Sequence, residues 1–288
     1  MTAFFAAVAE LSVIVFLLSS MSEIGLGLRL QQVLQPLRNT RLVTLSLVAN
    51  FVIAPLLALG VAHLLRLDEP YAQGLLLLGL AAGAPFMPKI AGVAKGDVAF
   101  AVGLLVMLMV GTIVYLPVVL PLLVEGSRVN PWQIVRLLVL LILLPLIGGM
   151  IVRAHAAPLA ARLASVLARI SGVTLVATVV LIVALHFQSL MSVFGTGAIY
   201  AGLLFSFLCA LSGWLLGGRH GAQRTVLGVG TGFRSFPAAL IVSVQSFGDP
   251  IVPVMVITTT LTALVVLLPA AWLMGRSAPA APSKLDRP

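Results

Sequence analysis

Charge is scarce in this chain. Only 9% of its 288 residues are Asp, Glu, Lys or Arg, against about 25% in an ordinary soluble domain. Cysteine is nearly absent, and Cys209 standing alone excludes a disulfide scaffold. Eight acidic residues and four histidines are too few and too scattered for a metal centre. No His-Glu-x-x-His, Gly-x-Ser-x-Gly or Walker loop is present, so an enzyme finds no support. What fills the chain instead is apolar, at 61% of residues. A single soluble core stops growing near ~250–300 residues and cannot absorb so much apolar surface. The composition implies an integral membrane protein and excludes a disordered chain.

A helix needs ~20 apolar residues to cross the hydrocarbon. Nine such stretches lie near 9–29, 42–65, 71–93, 97–124, 131–153, 166–188, 190–217, 222–247 and 249–275. The expectation is an all-α polytopic membrane protein with nine transmembrane helices. The runs are too long for barrel strands and lack their period-two alternation. The first stretch has no basic residue before it and no small-residue cleavage site, so it is expected to be retained as a helix. The segment 277–288, rich in Pro, Ala and Ser, reads as a disordered cytoplasmic tail.

The net charge of +9, from 17 Lys and Arg against 8 Asp and Glu, would suggest nucleic acid in a soluble protein. Here its arrangement points to membrane topology, with no nucleic-acid partner expected. One side of the nine-span arrangement takes Arg29, Arg38, Arg41, Lys95, Arg153, Arg162, Arg169, Arg219, Arg224, Arg276, Lys284 and Arg287. The other takes Arg66, Arg128 and Arg136, which leaves Lys89 and Arg234 inside spans. Cytoplasmic loops carry the Lys and Arg excess. An inner-membrane protein with its N-terminus outside and its C-terminus in the cytoplasm follows. Tyr71, Trp132, Trp214 and Trp272 fall near span ends, as interfacial aromatics do.

The third and eighth spans differ from the rest. Each contains Gly-x-x-x-x-Pro, as Gly83 to Pro88 and Gly232 to Pro237, and each then reaches Gly-Asp, at Gly96-Asp97 and Gly248-Asp249. Proline removes a ladder hydrogen bond and clashes with the preceding turn, so both helices are predicted to break near their middles. They run in opposite directions, the mark of an inverted repeat. The first repeat is 1–130, four helices with the third broken near Pro88. The second is 131–276, five helices with the eighth broken near Pro237. Helices six to nine would repeat one to four, the fifth having no counterpart. Unwound backbone is tolerated in a membrane only where protein or a cavity surrounds it. In carriers of this build the broken pair forms the substrate site near the midplane.

Ala94-Lys95-Gly96-Asp97-Val98-Ala99 resembles the end of a broken helix in bile acid:sodium symporters. The Ser20–Leu28 stretch and its following basic loop resemble that family's early Met-Gly-Leu segment, and Asn50 to Pro55 its Gln-Phe-x-x-x-Pro stretch. The similarity covers roughly residues 15–275. It implies an inverted-repeat carrier with panel and core domains, in the variant of nine spans. It also exposes a departure. The family's sodium-ligating Ser-Asn pair falls on Met87 and Pro88, and its later Ser and Thr on Ala101 and Leu105. Its Glu-x-Gly-x-Gln-Asn pattern falls on Gly230, Thr231, Gly232, Phe233, Arg234 and Ser235, and its early Gln on Asn50. A hard cation needs several oxygen ligands, and Met, Pro, Ala and Leu offer none. Neither sodium site is expected to survive, and no metal or cofactor is expected. The prolines also resemble those of auxin-efflux-type carriers, in line with sodium independence.

A charge at the bilayer centre costs at least ~2.5–3.5 kcal/mol on insertion scales. Lys89 and Arg234 therefore read either as attractors of an anionic substrate group or as counter-charges for carbonyls freed at the breaks. Ser235, Thr231 and Asn50 join them as candidate substrate-binding residues, with Gly83, Pro88, Gly232 and Pro237 as crossover or hinge residues. Glu23 reads as a counter-ion, a proton carrier or a hydrated residue near the cytoplasmic end, while Glu10 sits nearer the outer end. His186 reads as interfacial. Thr258, Thr259, Thr260 and Thr262 either face a cavity or bond to their own helix. The function expected is sodium-independent transport of a small organic anion by alternating access. The alternatives are an anion-selective channel and a proton-coupled carrier using Glu23. The sequence does not fix an oligomeric state.

Overall fold

The computed structural model describes residues 2–28, 31, 39–124, 130–185, 195–218 and 221–277, and among these it contains no strand. The helices are α1 (Thr2–Gly27), α2 (Thr40–Leu64), α3 (Glu69–Leu80), α4 (Met87–Val93), α5 (Val98–Leu123) and α6 (Pro131–His155). They continue as α7 (Ala157–Leu185), α8 (Ala198–Leu216), α9 (Gly221–Gly232), α10 (Phe236–Ser246) and α11 (Ile251–Ser277). Arg29, Arg38, Arg128, His186, Arg219, Lys284, Arg287 and the tail beyond Ser277 lie outside the described residues.

Seven helical stretches among the described residues are long and apolar enough to cross a membrane. They are α2, α5, α6, α7 as far as Thr178, α8, the α9–α10 pair and α11. A further apolar helical stretch is Leu11–Gly27 within α1, and α3 stops after 12 residues at a break.

Polar starts set the helix boundaries. Asn39 accepts the Leu42 N–H at the start of α2, and Asn130 accepts the Trp132 N–H at the start of α6. The two Gly-Asp pairs do the same, Asp97 accepting from Phe100 N–H before α5 and Asp249 from Ile251 N–H before α11. Each side-chain acceptor satisfies an amide that a helix start leaves unpaired.

By contact the helices form two sets. In one, α1 packs on α6 and α7. The α1 and α6 backbones approach closely at Gly25 and Gly149, where a Cβ on Gly149 would lie 2.6 Å from the Ser22 carbonyl oxygen. The other set joins α9 to α8, α8 to α11 and α11 to α3, and α2 lies against α3 and α8. Within it, α3 pairs with α10 and α4 with α9, and the two interrupted helices meet at their breaks. Every residue from Thr225 to Ser243 is buried within the protein, as backbone unwound at membrane depth requires.

The breaks lie next to Pro88 and Pro237. Helical backbone stops at Ala81–Phe86 and at Phe233–Ser235, and Pro88 and Pro237 sit in the first turns of α4 and α10. A proline in a first turn lacks only an N–H that would have had no partner, and its fixed φ suits a helix start. The prolines begin the second halves of these helices and do not kink continuous ones.

One end of the molecule gathers basic residues. There the Asp97 N–H donates to the Ala222 carbonyl at 3.3 Å, and Gly275 lies against the Val93 carbonyl. Lys95, Arg224 and Arg276 therefore share an end, and Arg41 lines a recess there with Gln223. The Arg224 guanidinium lies 3.1 Å from the ring centroid of Trp214, and that of Arg276 3.7 Å from Trp272.

Candidate functional site

The meeting point of the two breaks is built on a local flaw in α2. Pro55 has no N–H to continue the helix, and the residues before it, Ala49–Ile53, adopt a π turn. The Ala54 N–H bonds back to Ala49, which frees the Asn50 carbonyl. The missing Pro55 N–H frees the Phe51 carbonyl, and the Tyr115 hydroxyl donates to it.

Arg234 takes up the freed carbonyls. From the second break, buried to 5% exposure, it donates through Nε to Leu78 O at 3.0 Å and through Nη2 to Asn50 O at 3.1 Å and to Gly79 O. Its Nη1 donates to Asn50 Oδ1 at 2.6 Å. Leu78 and Gly79 belong to the last turn of α3, where helix carbonyls lose their partners and cations are favoured. Asn50 is held in turn, its Nδ2 donating to Ser46 O at 3.0 Å and reaching Thr231 Oγ1 at 3.4 Å. The Ser235 N–H donates to Ala81 O at 2.9 Å and ties one break to the other. Asn50, Thr231, Arg234 and Ser235 thus come together, all buried.

The glycines differ in role. Gly83 has φ +86, and a Cβ there would stand 2.8 Å from the Met109 backbone nitrogen. At Gly232 the constraint is space, a Cβ falling 2.9 Å from the Ala210 Cβ. Sequence reasoning missed Thr112, whose hydroxyl accepts from the Ala82 N–H at 2.9 Å and donates to the Ala82 carbonyl at 3.0 Å. A signal existed: Thr112 and Tyr115 carry the only hydroxyls in the 26 residues of α5.

Lys89 lies apart from the buried Arg234 cluster. Its side chain is 73% exposed, projecting from α4 into a cavity. Its Nζ lies 3.7 Å from Glu23 Oε1 on α1, and the Ser171 hydroxyl on α7 donates to Glu23 Oε2 at 3.1 Å. Two adjoining cavities of about 370 and 270 Å³ share Pro85, Phe86, Lys89 and Leu175. The larger holds Glu23 and Ser171, and the smaller is almost wholly apolar, walled by Phe233, Pro237 and Leu264. Of the α11 threonines, Thr258, Thr260 and Thr262 donate to carbonyls of their own helix, with Thr260 also on the wall of the smaller cavity.

Met87, Ala101 and Leu105 are buried, and Met87 Sδ packs against Gly230. Among the described residues no group of three or more His, Cys, Asp or Glu is placed to hold a metal ion.

The sequence model of the Sodium Bile acid symporter family matches residues 14–193. The chain is also similar to the Uncharacterized sodium-dependent transporter YocS of Bacillus subtilis (strain 168), at 28% identity over 207 residues and 68% of this chain. The match spans 63% of that relative's length, under two thirds. The family match takes in Glu23, Asn50 and Lys89 and ends before Arg234.

Proposed function

The chain belongs to the Sodium Bile acid symporter family and is a membrane transporter, not an enzyme, and we propose that it carries a small organic anion by alternating access without sodium. In this reading the protein has nine spans, the interrupted helices α3–α4 and α9–α10 making two of them, and α1 a third. An inverted repeat relates the interrupted pair. The membrane is the inner membrane, and the end that holds Lys95, Arg224 and Arg276 faces the cytoplasm. The cargo occupies the paired cavities between the two helix sets, its apolar body against Phe233, Pro237 and Leu264 and its anionic group toward Lys89.

The observation that carries sodium independence is Arg234. Its guanidinium donates to four oxygens where the breaks meet, three of them backbone carbonyls, and so is a fixed cation in the place of an exchangeable one. Arg stays protonated in proteins, so this charge does not come and go with the transport cycle. The sodium dependence in the name of the B. subtilis relative weighs against this reading. The oxygen-free side chains of Met87, Pro88, Ala101 and Leu105 weigh for it.

The test is thermal unfolding and proteoliposome uptake in sodium, potassium and choline at equal ionic strength. A ligand that binds only the folded state raises stability as RT ln(1 + [L]/Kd). The expected outcome is the same melting temperature and the same uptake in all three. A saturable rise specific to sodium would end the proposal.

A further inference from the structure

Two side chains in the larger cavity already form a cation–anion contact, and they come from opposite helix sets. Lys89 stands on α4, after the first break, and Glu23 on α1. The contact is loose at 3.7 Å, beyond the ~2.7–2.9 Å of a charge-assisted hydrogen bond. Glu23 is the better anchored partner, 22% exposed and held by Ser171 from α7, against 73% for Lys89. Arg234, the other cation on these cavity walls, has four donors committed to protein oxygens.

We infer that Glu23 is a built-in competitor for the anionic group of the cargo, its carboxylate occupying Lys89 until a substrate anion displaces it. The inference rests on the organic-anion reading above and adds the residue that sets its selectivity. A neutral molecule has nothing to exchange for the carboxylate and leaves the pair closed. An anion that takes Lys89 gains a charge-assisted contact and leaves Glu23 on Ser171 and solvent. The same exchange opens an ionic link between the two helix sets, so cargo arrival and release of one set from the other are a single event. The apparent affinity of a site is its intrinsic affinity reduced by the fraction that is competent to bind. For an exposed pair, closed only a few-fold more often than open, that reduction is about 2- to 6-fold.

The experiment uses the full chain in nanodiscs with potassium as the sole cation. The probes are cholate, a bile acid carboxylate, and its uncharged methyl ester. Binding isotherms are measured for the wild type, E23Q, S171A, K89M and E23Q/K89M, with melting curves as the check on folding. The expected result is cholate binding tightened about 2- to 6-fold by E23Q. S171A tightens it less, because it loosens the carboxylate without removing it. Methyl cholate binding stays the same in both, and E23Q has no effect once Lys89 is Met. If E23Q does not fold, S171A decides the direction alone. E23Q that leaves cholate binding unchanged or weaker, with cholate still preferred over its ester through Lys89, overturns the competitor and keeps the anion reading. Equal binding of cholate and ester in every variant, or none in any, overturns both.

Discussion

At the scale of residues, Arg234 determines how the meeting point of the breaks holds together. Its loss would strand the carbonyls of Asn50 and Gly79 and the Asn50 side-chain oxygen inside the protein, and would leave the Leu78 carbonyl with the Ala81 N–H alone. A buried polar group left unpaired costs about 1–3 kcal/mol, and breaking a buried charged network about 3–5 kcal/mol in all. Arg234→Gln should therefore lower the melting temperature sharply. Arg234→Lys should recover part of it, since an ammonium keeps the charge but cannot span acceptors the guanidinium fork reaches. The oxygens released are hard donors of the kind sodium accepts. Sodium should then stabilise Arg234→Gln over choline, although it does nothing for the wild type. Melting curves of the three proteins in sodium and choline chloride check this. Unchanged melting with lost cholate binding would mean that the guanidinium serves the cargo and not the fold.

At the scale of elements, the first break is shaped by Thr112 and Gly83. Thr112→Val keeps the volume and removes both bonds to Ala82, which predicts a loss of about 1–3 kcal/mol, with Thr112→Ser near wild type. Gly83→Ala should cost about 1–3 kcal/mol, because φ +86 is strained for alanine and the Met109 backbone cannot retreat. Denaturant or thermal unfolding of the three variants gives the comparison, and a neutral Thr112→Val would remove the clamp from the account. The broken helices themselves were legible in the sequence, because paired Gly and Pro in a long apolar run leave few other readings. The use made of Arg234 was not. Asn50 lies 184 positions away, and its carbonyl is free only because Pro55 forces a π turn whose register no local pattern states. Lys89 and Glu23 were legible as charges, but the cavity in which they meet follows only from the packing of the helices. Ser171 carries no signal at all, one hydroxyl among several on α7, until the packing of α1 on α7 brings Glu23 to it.

At the scale of the whole molecule, the arrangement of charge predicts how the protein sits in its membrane. Lys95, Arg224, Arg276 and Arg41 come from four separate parts of the chain, yet the helix contacts bring them to one end. Two of these cations lie on the faces of Trp214 and Trp272. Stacked aromatic–cation pairs suit the headgroup region, where a ring meets the hydrocarbon edge and a guanidinium meets phosphate. The opposite end carries Glu69 at the start of α3 and Asp249 before α11, with the tip at Leu67 close to Gly197. Translocation disfavours loops rich in Lys and Arg, so the basic end should stay in the cytoplasm. The exposed positions Ala222, before α9 deepens, and Gln133, at the start of α6, report on the two ends. The native Cys209 is buried, so it adds little background to thiol labelling. In intact cells a membrane-impermeant maleimide should label Gln133→Cys and leave Ala222→Cys untouched until the cells are opened. The reverse pattern would invert the protein in its membrane, and with it the side from which a cargo anion first meets Lys89.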